Sequence, residues 1–214
     1  MEKSVLISGG SRGLGHELAK TFLSGGWNVM TFSRSGETKE EKVNGKLFIS
    51  TRADMRLDHD VREVMNAFER KFSGFRLLIL NAGSVTRAGH FMDSNLSEMR
   101  KVYEINVFSN SLLIKEFLNI ESARAVIHIT SDASVNNYEG WALYGSSKAA
   151  MDHIIKTLEL EIPEVKFISM DPGDMDTEMH REALPEADTG DLQRPGEAAS
   201  KLYGRIMEAI RIDQ

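Results

Sequence analysis

Tyr144 and Lys148 stand four residues apart in the stretch YGSSK, within a segment whose pattern reads as helix. Positions i and i+4 share one helix face, so the phenol and the ammonium are neighbours. A free tyrosine titrates near pH ~10, too high for a base at neutral pH. A lysine ammonium beside it favours the phenolate and lowers that value. A phenol placed this way can give a proton to a carbonyl oxygen and take it back in reverse. Tyrosine and lysine meet at this spacing often by chance, so the pair needs companions. Ser131 is one: it directly follows the apolar run RAVIHIT, and its hydroxyl suits a hydrogen bond to a carbonyl group.

A second group of residues suits phosphate. The first apolar run, SVLIS, leads into SGGSRGLG, with Gly9, Gly13 and Gly15 around Ser11, Arg12 and Leu14. Glycines at such a turn let a pyrophosphate approach the backbone, and the following helix offers free N–H groups and its positive end. The second apolar run ends in Ser33 and Arg34. A carboxylate at this place, ~20 residues past the loop, would hold a ribose 2′-hydroxyl. Arg34, with Arg12 as a second cation, instead matches a 2′-phosphate, which points to NADP(H) rather than NAD.

These residues need a frame. Six short apolar runs read as strands: 4–8, 27–33, 46–50, 76–80, 124–130 and 165–170. Helical patterns fall between them at about 15–26, 58–72, 95–119 (capped by Asn95 or Ser94), 141–161 and 196–210. Mostly apolar strands alternating with helices indicate a parallel sheet covered on both faces. The expected fold is α/β and doubly wound, with about six strands in the order 3-2-1-4-5-6. Ligands in such sheets sit outside the carboxyl ends of the strands. Ser131, the NAG of Asn81, Ala82 and Gly83, and the DPG of 171–173 all fall there. The segment 36–45 reads as an exposed polar loop, and 174–195 as a loop with room for a short helix that follows the last strand.

Bulk properties narrow the function classes. A chain of 214 residues is long enough for one domain with a sizeable core, here read as 1–214. A net charge of −6 gives no basic footprint for nucleic acid. With no cysteine and six scattered histidines, neither disulfides nor a metal site is expected. No apolar stretch approaches the ~20 residues that span a bilayer, and the N-terminus does not read as a signal peptide. The expectation is a cytoplasmic protein.

Taken in order, SGGSRGLG, NAG, YEINVFS around Asn106, HITS with Ser131, YGSSK and DPGDMDT resemble the short-chain dehydrogenase/reductase family over nearly the whole chain. The resemblance implies roles. Tyr144 would be the general acid/base, and Ser131 would orient the substrate carbonyl. Lys148 would lower the tyrosine's pKa and grip the nicotinamide ribose. Asn106 would hold a water and a helix kink in a proton relay. Gly9, Ser11, Arg12, Gly13, Leu14 and Gly15 would line the pyrophosphate and adenosine side. Asp54 would accept a bond from the adenine amino group with Met55 nearby, and Asn81, Ala82 and Gly83 would flank the adenosine ribose. Pro172, Gly173 and Thr177 would sit against the nicotinamide. Two segments, YEGWALYGSSKAA and DPGDMDTEM, look like the sepiapterin and benzil reductase branch, whose members reduce ketones beside a second carbonyl with NADPH.

The implied activity is an NADPH-dependent carbonyl reductase, or alcohol dehydrogenase, acting on a small carbonyl or alcohol substrate. Two alternatives stay open: an NADP(H)-sensing regulator without turnover, and an acyl-carrier-protein ketoreductase. Family chains commonly run longer than this one. The resemblance therefore implies that the family's seventh strand is missing and that the pocket is more open. A homodimer through the helices at 95–119 and 141–161 is expected, with a tetramer less secure.

Overall fold

The structure, a computed structural model, describes residues 2–210. Its centre is one sheet of β1 (Lys3–Ser8), β2 (Asn28–Ser33), β3 (Lys39–Val43), β4 (Lys46–Arg52), β5 (Phe75–Leu80), β6 (Ala123–Ile129) and β7 (Lys166–Met170), in the order β3-β4-β2-β1-β5-β6-β7. All neighbouring pairs are parallel except β3 with β4. The central strands are apolar throughout because both faces are covered. Leu6, Met30, Leu78 and Val126 pack one way, against α2 (Asp58–Lys71), α4 (Asn110–Leu118) and α5 (Ala142–Glu161). Val5, Ile7, Val29 and Leu77 pack the other way, against α1 (Gly13–Ser24) and α7 (Pro195–Ile210).

Seven strands stand where six were expected. The six keep their anticipated order, and the addition is β3, in the segment read as a polar loop. Asn44 and Gly45, both at positive φ, turn the chain back so that Lys39–Val43 pairs antiparallel with β4. Among the described residues no strand follows α7, so the addition is not the family's C-terminal strand.

Two local features shape the ligand side. The helix expected over 95–119 is three pieces: α3 (Leu96–Tyr103), a wider π-helical turn over Glu104–Ser109, and α4. Asn95 caps α3, accepting from the Glu98 N–H at 3.0 Å while Glu98 accepts from the Asn95 N–H at 3.0 Å. The segment after β7 contains α6 (Glu178–Ala183) and is closed at its neck. There Met175 bridges Gln193, and the Gln193 amide donates to the Pro172 carbonyl at 2.6 Å. Its outer part is tied to the loop after β5, because the Ala88 N–H donates to the Ala183 carbonyl at 2.9 Å.

Candidate active site

Two adjoining cavities open at the carboxyl ends of the strands. The larger, about 630 Å³, takes in Gly9, Ser11, Arg12, Gly13, Leu14, Gly15, Ser33, Arg34, Asp54, Met55, Asn81, Ala82, Gly83, Lys148, Pro172 and Thr177. Every residue anticipated for the dinucleotide lines it except Gly173, which faces the smaller cavity. The smaller, about 310 Å³, is lined by Ser131, Asp132, Trp141, Asp171, Asp174 and His180 among others. Tyr144 borders both.

The glycine loop is built for close approach. Gly9 and Gly13 lie at positive φ. A Cβ on Gly15 would stand 2.3 Å from the Gly9 carbonyl oxygen and 2.5 Å from the Asn81 amide, so only glycine lets α1 begin this near the strand ends. The Asn81 amide donates to the Ser8 carbonyl at 2.9 Å, and the Ser8 hydroxyl accepts from the N–H groups of Asn81 (3.1 Å) and Ala82 (3.0 Å). The ends of β1 and β5 are thereby clamped beside the loop. A cavity of this size lined by Gly9, Gly13 and Gly15 at a helix N-terminus fits a dinucleotide.

The cationic residues are placed unequally. Arg34 is exposed and lines the cleft, close enough to Asp54 to help lower that carboxyl's pKa. Asp54 is held mainly by Arg56, whose Nε donates to it at 2.9 Å. Arg12 pairs across the cleft mouth with Glu178 at the start of α6. Thr177 spends its hydroxyl capping α6, accepting from the His180 N–H at 3.2 Å.

The small residues between Tyr144 and Lys148 each have a use. A Cβ on Gly145 would meet the Ala133 carbonyl oxygen at 2.5 Å, so the helix can lie against the Ser131 turn only with glycine there. Ser146 accepts from the Tyr103 hydroxyl at 2.9 Å. Ser147 donates to the Tyr144 carbonyl at 2.7 Å and accepts from the Asn106 amide at 2.9 Å. Asn106 is fully buried at the π-helical turn, and its side chain also brackets Ser84, donating to its carbonyl at 2.8 Å and accepting from its N–H at 2.7 Å. The anticipated helix irregularity at Asn106 is thus a π turn that brings this amide to the foot of α5.

Electrostatics at the pair run against the simplest expectation. Burial pushes the Tyr144 phenol up to about 12; the Ser131 hydroxyl opposes the shift, and Asp171, Asp132 and Asp174 add to it. Lys148 is buried and drawn down to about 8 by desolvation, against the pull of Asp152 and Asp171. Its Nζ donates to the Ile129 carbonyl at 2.7 Å and lies 5.6 Å from the centre of the Tyr144 ring. With these groups alone the phenol is protonated, as a proton donor must be.

Sequence reasoning passed over several neighbours. His128, one of the scattered histidines, is fully buried with its Nδ1 3.1 Å from Asp152, and among the described residues its Nε2 has no partner. Burial brings it down to about 4. Asp152 also accepts from the Thr130 hydroxyl at 2.7 Å, joining α5 to the end of β6. Trp141 meets Tyr144 edge-on, with centroids 5.6 Å apart. Asp171 and Asp174 belong to the site through their place after β7, and strand-end position was the signal that marked them.

Comparison with known proteins fits this geometry. The family profile described as short chain dehydrogenase matches residues 3–188. The chain belongs to the short-chain dehydrogenase family. Within that family its relatives include a benzil reductase ((S)-benzoin forming) of Bacillus subtilis, 34% identical over 190 residues, which are 81% of this chain and 75% of that protein. They also include a sepiapterin reductase of Xenopus laevis, 30% identical over 210 residues, covering 88% of this chain and 80% of the relative. Among solved structures, an alcohol dehydrogenase from the archaeon Thermococcus sibiricus, complexed with 5-hydroxy-NADP, shares the fold. It has a TM-score of 0.84 at 21% identity, covering 96% of this chain and 91% of that one. The short-chain dehydrogenase is therefore an oxidoreductase of the benzil and sepiapterin reductase branch.

Proposed function

We propose that this oxidoreductase is an NADPH-dependent carbonyl reductase that also runs in reverse as an alcohol dehydrogenase, with 1–214 acting as one dinucleotide-binding domain. The observation that carries the reading is Tyr144 on the wall shared by the two cavities, with Lys148 on one side and Ser131 on the other. The names of the relatives, which reduce carbonyl compounds, support it.

When bound, the reduced nicotinamide supplies the hydride. Ser131 would hold the substrate oxygen near the phenol, and Tyr144 would donate its proton to that oxygen. Lys148 would offer its ammonium to the cofactor ribose and to the phenolate left behind. Asn106 holds the foot of α5 and the π turn in place for the relay. Arg34 and Arg12 would favour a 2′-phosphate, Arg12 by giving up Glu178. Leu96, Phe108 and Leu160 are exposed apolar side chains on the helices expected to form a homodimer.

The test follows nicotinamide absorbance with NADPH and NADH against diketones, keto-esters, quinones, pterins and aldehydes, for the wild type and Tyr144→Phe. Turnover with NADPH well above NADH is expected. Y144F should lose on the order of 10²–10⁴ in rate while still binding NADPH. Turnover by Y144F near the original rate would end the reading. NADPH binding with no turnover across the whole panel would favour a sensor.

A further inference from the structure

The smaller cavity has a one-sided charge. Asp132, Asp171 and Asp174 line it together with Tyr144, and among the described residues no lysine or arginine does. Among the described residues none of the three carboxylates forms an ion pair. Their hydrogen-bond donors are neutral: the Tyr138 hydroxyl (2.5 Å) and Ser131 hydroxyl (3.3 Å) for Asp132, and the Gly173 N–H (2.8 Å) for Asp171. These bonds fix Asp132 and Asp171 without cancelling their charge. The cavity also has an aromatic wall, with Trp141 set edge-on to Tyr144 and the Tyr138 ring at the rim. A carbonyl group that reaches the phenol has the single Lys148 ammonium on the far side of Tyr144, and the rest of its substrate lies among three carboxylates and apolar ring surface.

We propose that this chamber selects uncharged or positively charged carbonyl substrates bearing an aromatic or apolar group, and turns away 2-oxo acids and other anionic carbonyl compounds. The proposal rests on the reductase reading above. A carboxylate or phosphate within several ångström of the acidic residues is repelled, more so in this partly desolvated pocket than in bulk water. A neutral ester of the same skeleton is not.

The experiment compares methyl benzoylformate with benzoylformate, which share the reacting ketone and ring and differ in charge. At saturating NADPH the measured quantity is the ratio of kcat/KM for the anion to that for the ester. Changes in this ratio are independent of the intrinsic difference in electrophilicity. In the wild type the ratio should rise several-fold as salt is raised from ~10 mM to ~0.5 M, where exposed charges are screened. In the folded double variant D132N/D174N it should rise by roughly tenfold at low salt and lose most of its salt dependence. A ratio that moves with neither salt nor substitution, while the ester is reduced, overturns the proposal and leaves the reductase reading standing. Failure to reduce either compound, or any carbonyl in the wider panel, removes that reading and this inference with it. Should the double variant fail to fold, the wild-type salt series decides alone.

Discussion

Lys148 is the residue at which protonation should show most directly in the kinetics. It is buried, its pKa is depressed to about 8, and Asp152 and Asp171 are the charges that oppose its loss of a proton. The pH dependence of kcat/KM reports groups of the free enzyme. Reduction should therefore hold steady at neutral pH and fall as pH rises through about 8. Lys148→Arg, which cannot deprotonate in this range, should lose that limb even if its rate is lower. A limb of unchanged position in K148R would assign it to another group. His128 predicts a second, purely structural titration. Its folded pKa of about 4 lies below the ordinary 6.5, because burial penalises the charged ring. The unfolded chain binds the extra proton between those values, so stability falls as pH drops from 6.5 towards 4, by on the order of 3 kcal/mol. The Asp152 carboxyl, held below the usual range by His128, Ser134, Ser169 and Thr130 against the cost of burial, extends the loss to lower pH. Chemical denaturation across this range, in the wild type and in His128→Gln, checks the sign: the slope should flatten in the variant. At this scale the sequence was most readable for placement, as with Gly15, where a side chain would clash with the Gly9 carbonyl, and Tyr144, which lies on the wall of both cavities. Asp171 and Asp174 were less readable, because an acid after a strand looks the same whether it faces water or a cavity.

The π turn shows what an element adds beyond its residues. Leu96–Leu118 has the apolar spacing of a single helix, and nothing local marks a wider turn at Glu104–Ser109. The turn is held by contacts far along the chain, Asn106 to Ser84 and to Ser147. Only the likeness to a family pattern pointed to an irregularity there. Asn106→Ala leaves the buried Ser84 N–H and carbonyl without these partners. It should lower stability by about 2–3 kcal/mol and reduce turnover more than tenfold. Thermal unfolding and single-turnover rates separate the two effects, and an unchanged rate in the folded variant would show that the turn serves packing alone. Strand β3 was missed for a related reason. KEEKV has no apolar alternation to read, because this edge strand fully buries none of its residues and packs only Val43 against the core. Strands β1, β2, β5 and β6 were legible for the opposite reason: burial on both faces leaves nearly continuous apolar runs.

For the whole molecule, the helix faces left uncovered carry the argument. Leu96, Phe108 and Leu160 are 59%, 61% and 83% exposed on the helices proposed to form a dimer. Apolar side chains grouped on a surface mark contact sites when they form a patch. Phe108→Glu with Leu160→Glu should shift the sedimentation coefficient from dimer to monomer while leaving the melting curve of the fold recognisable. A species of unchanged size would move the interface elsewhere. The opposite edge of the sheet behaves differently. On β3, Lys39 pairs with Glu41, and Glu40 is met by Lys71 of α2. A strand from another molecule trying to lengthen the sheet there would have to pair its backbone beside four consecutive charged residues, Lys39 to Lys42. The hairpin thus closes one side of the sheet to intermolecular strand pairing, so aggregation by edge-to-edge growth is disfavoured on the side where the turn at Asn44 and Gly45 brings the chain back.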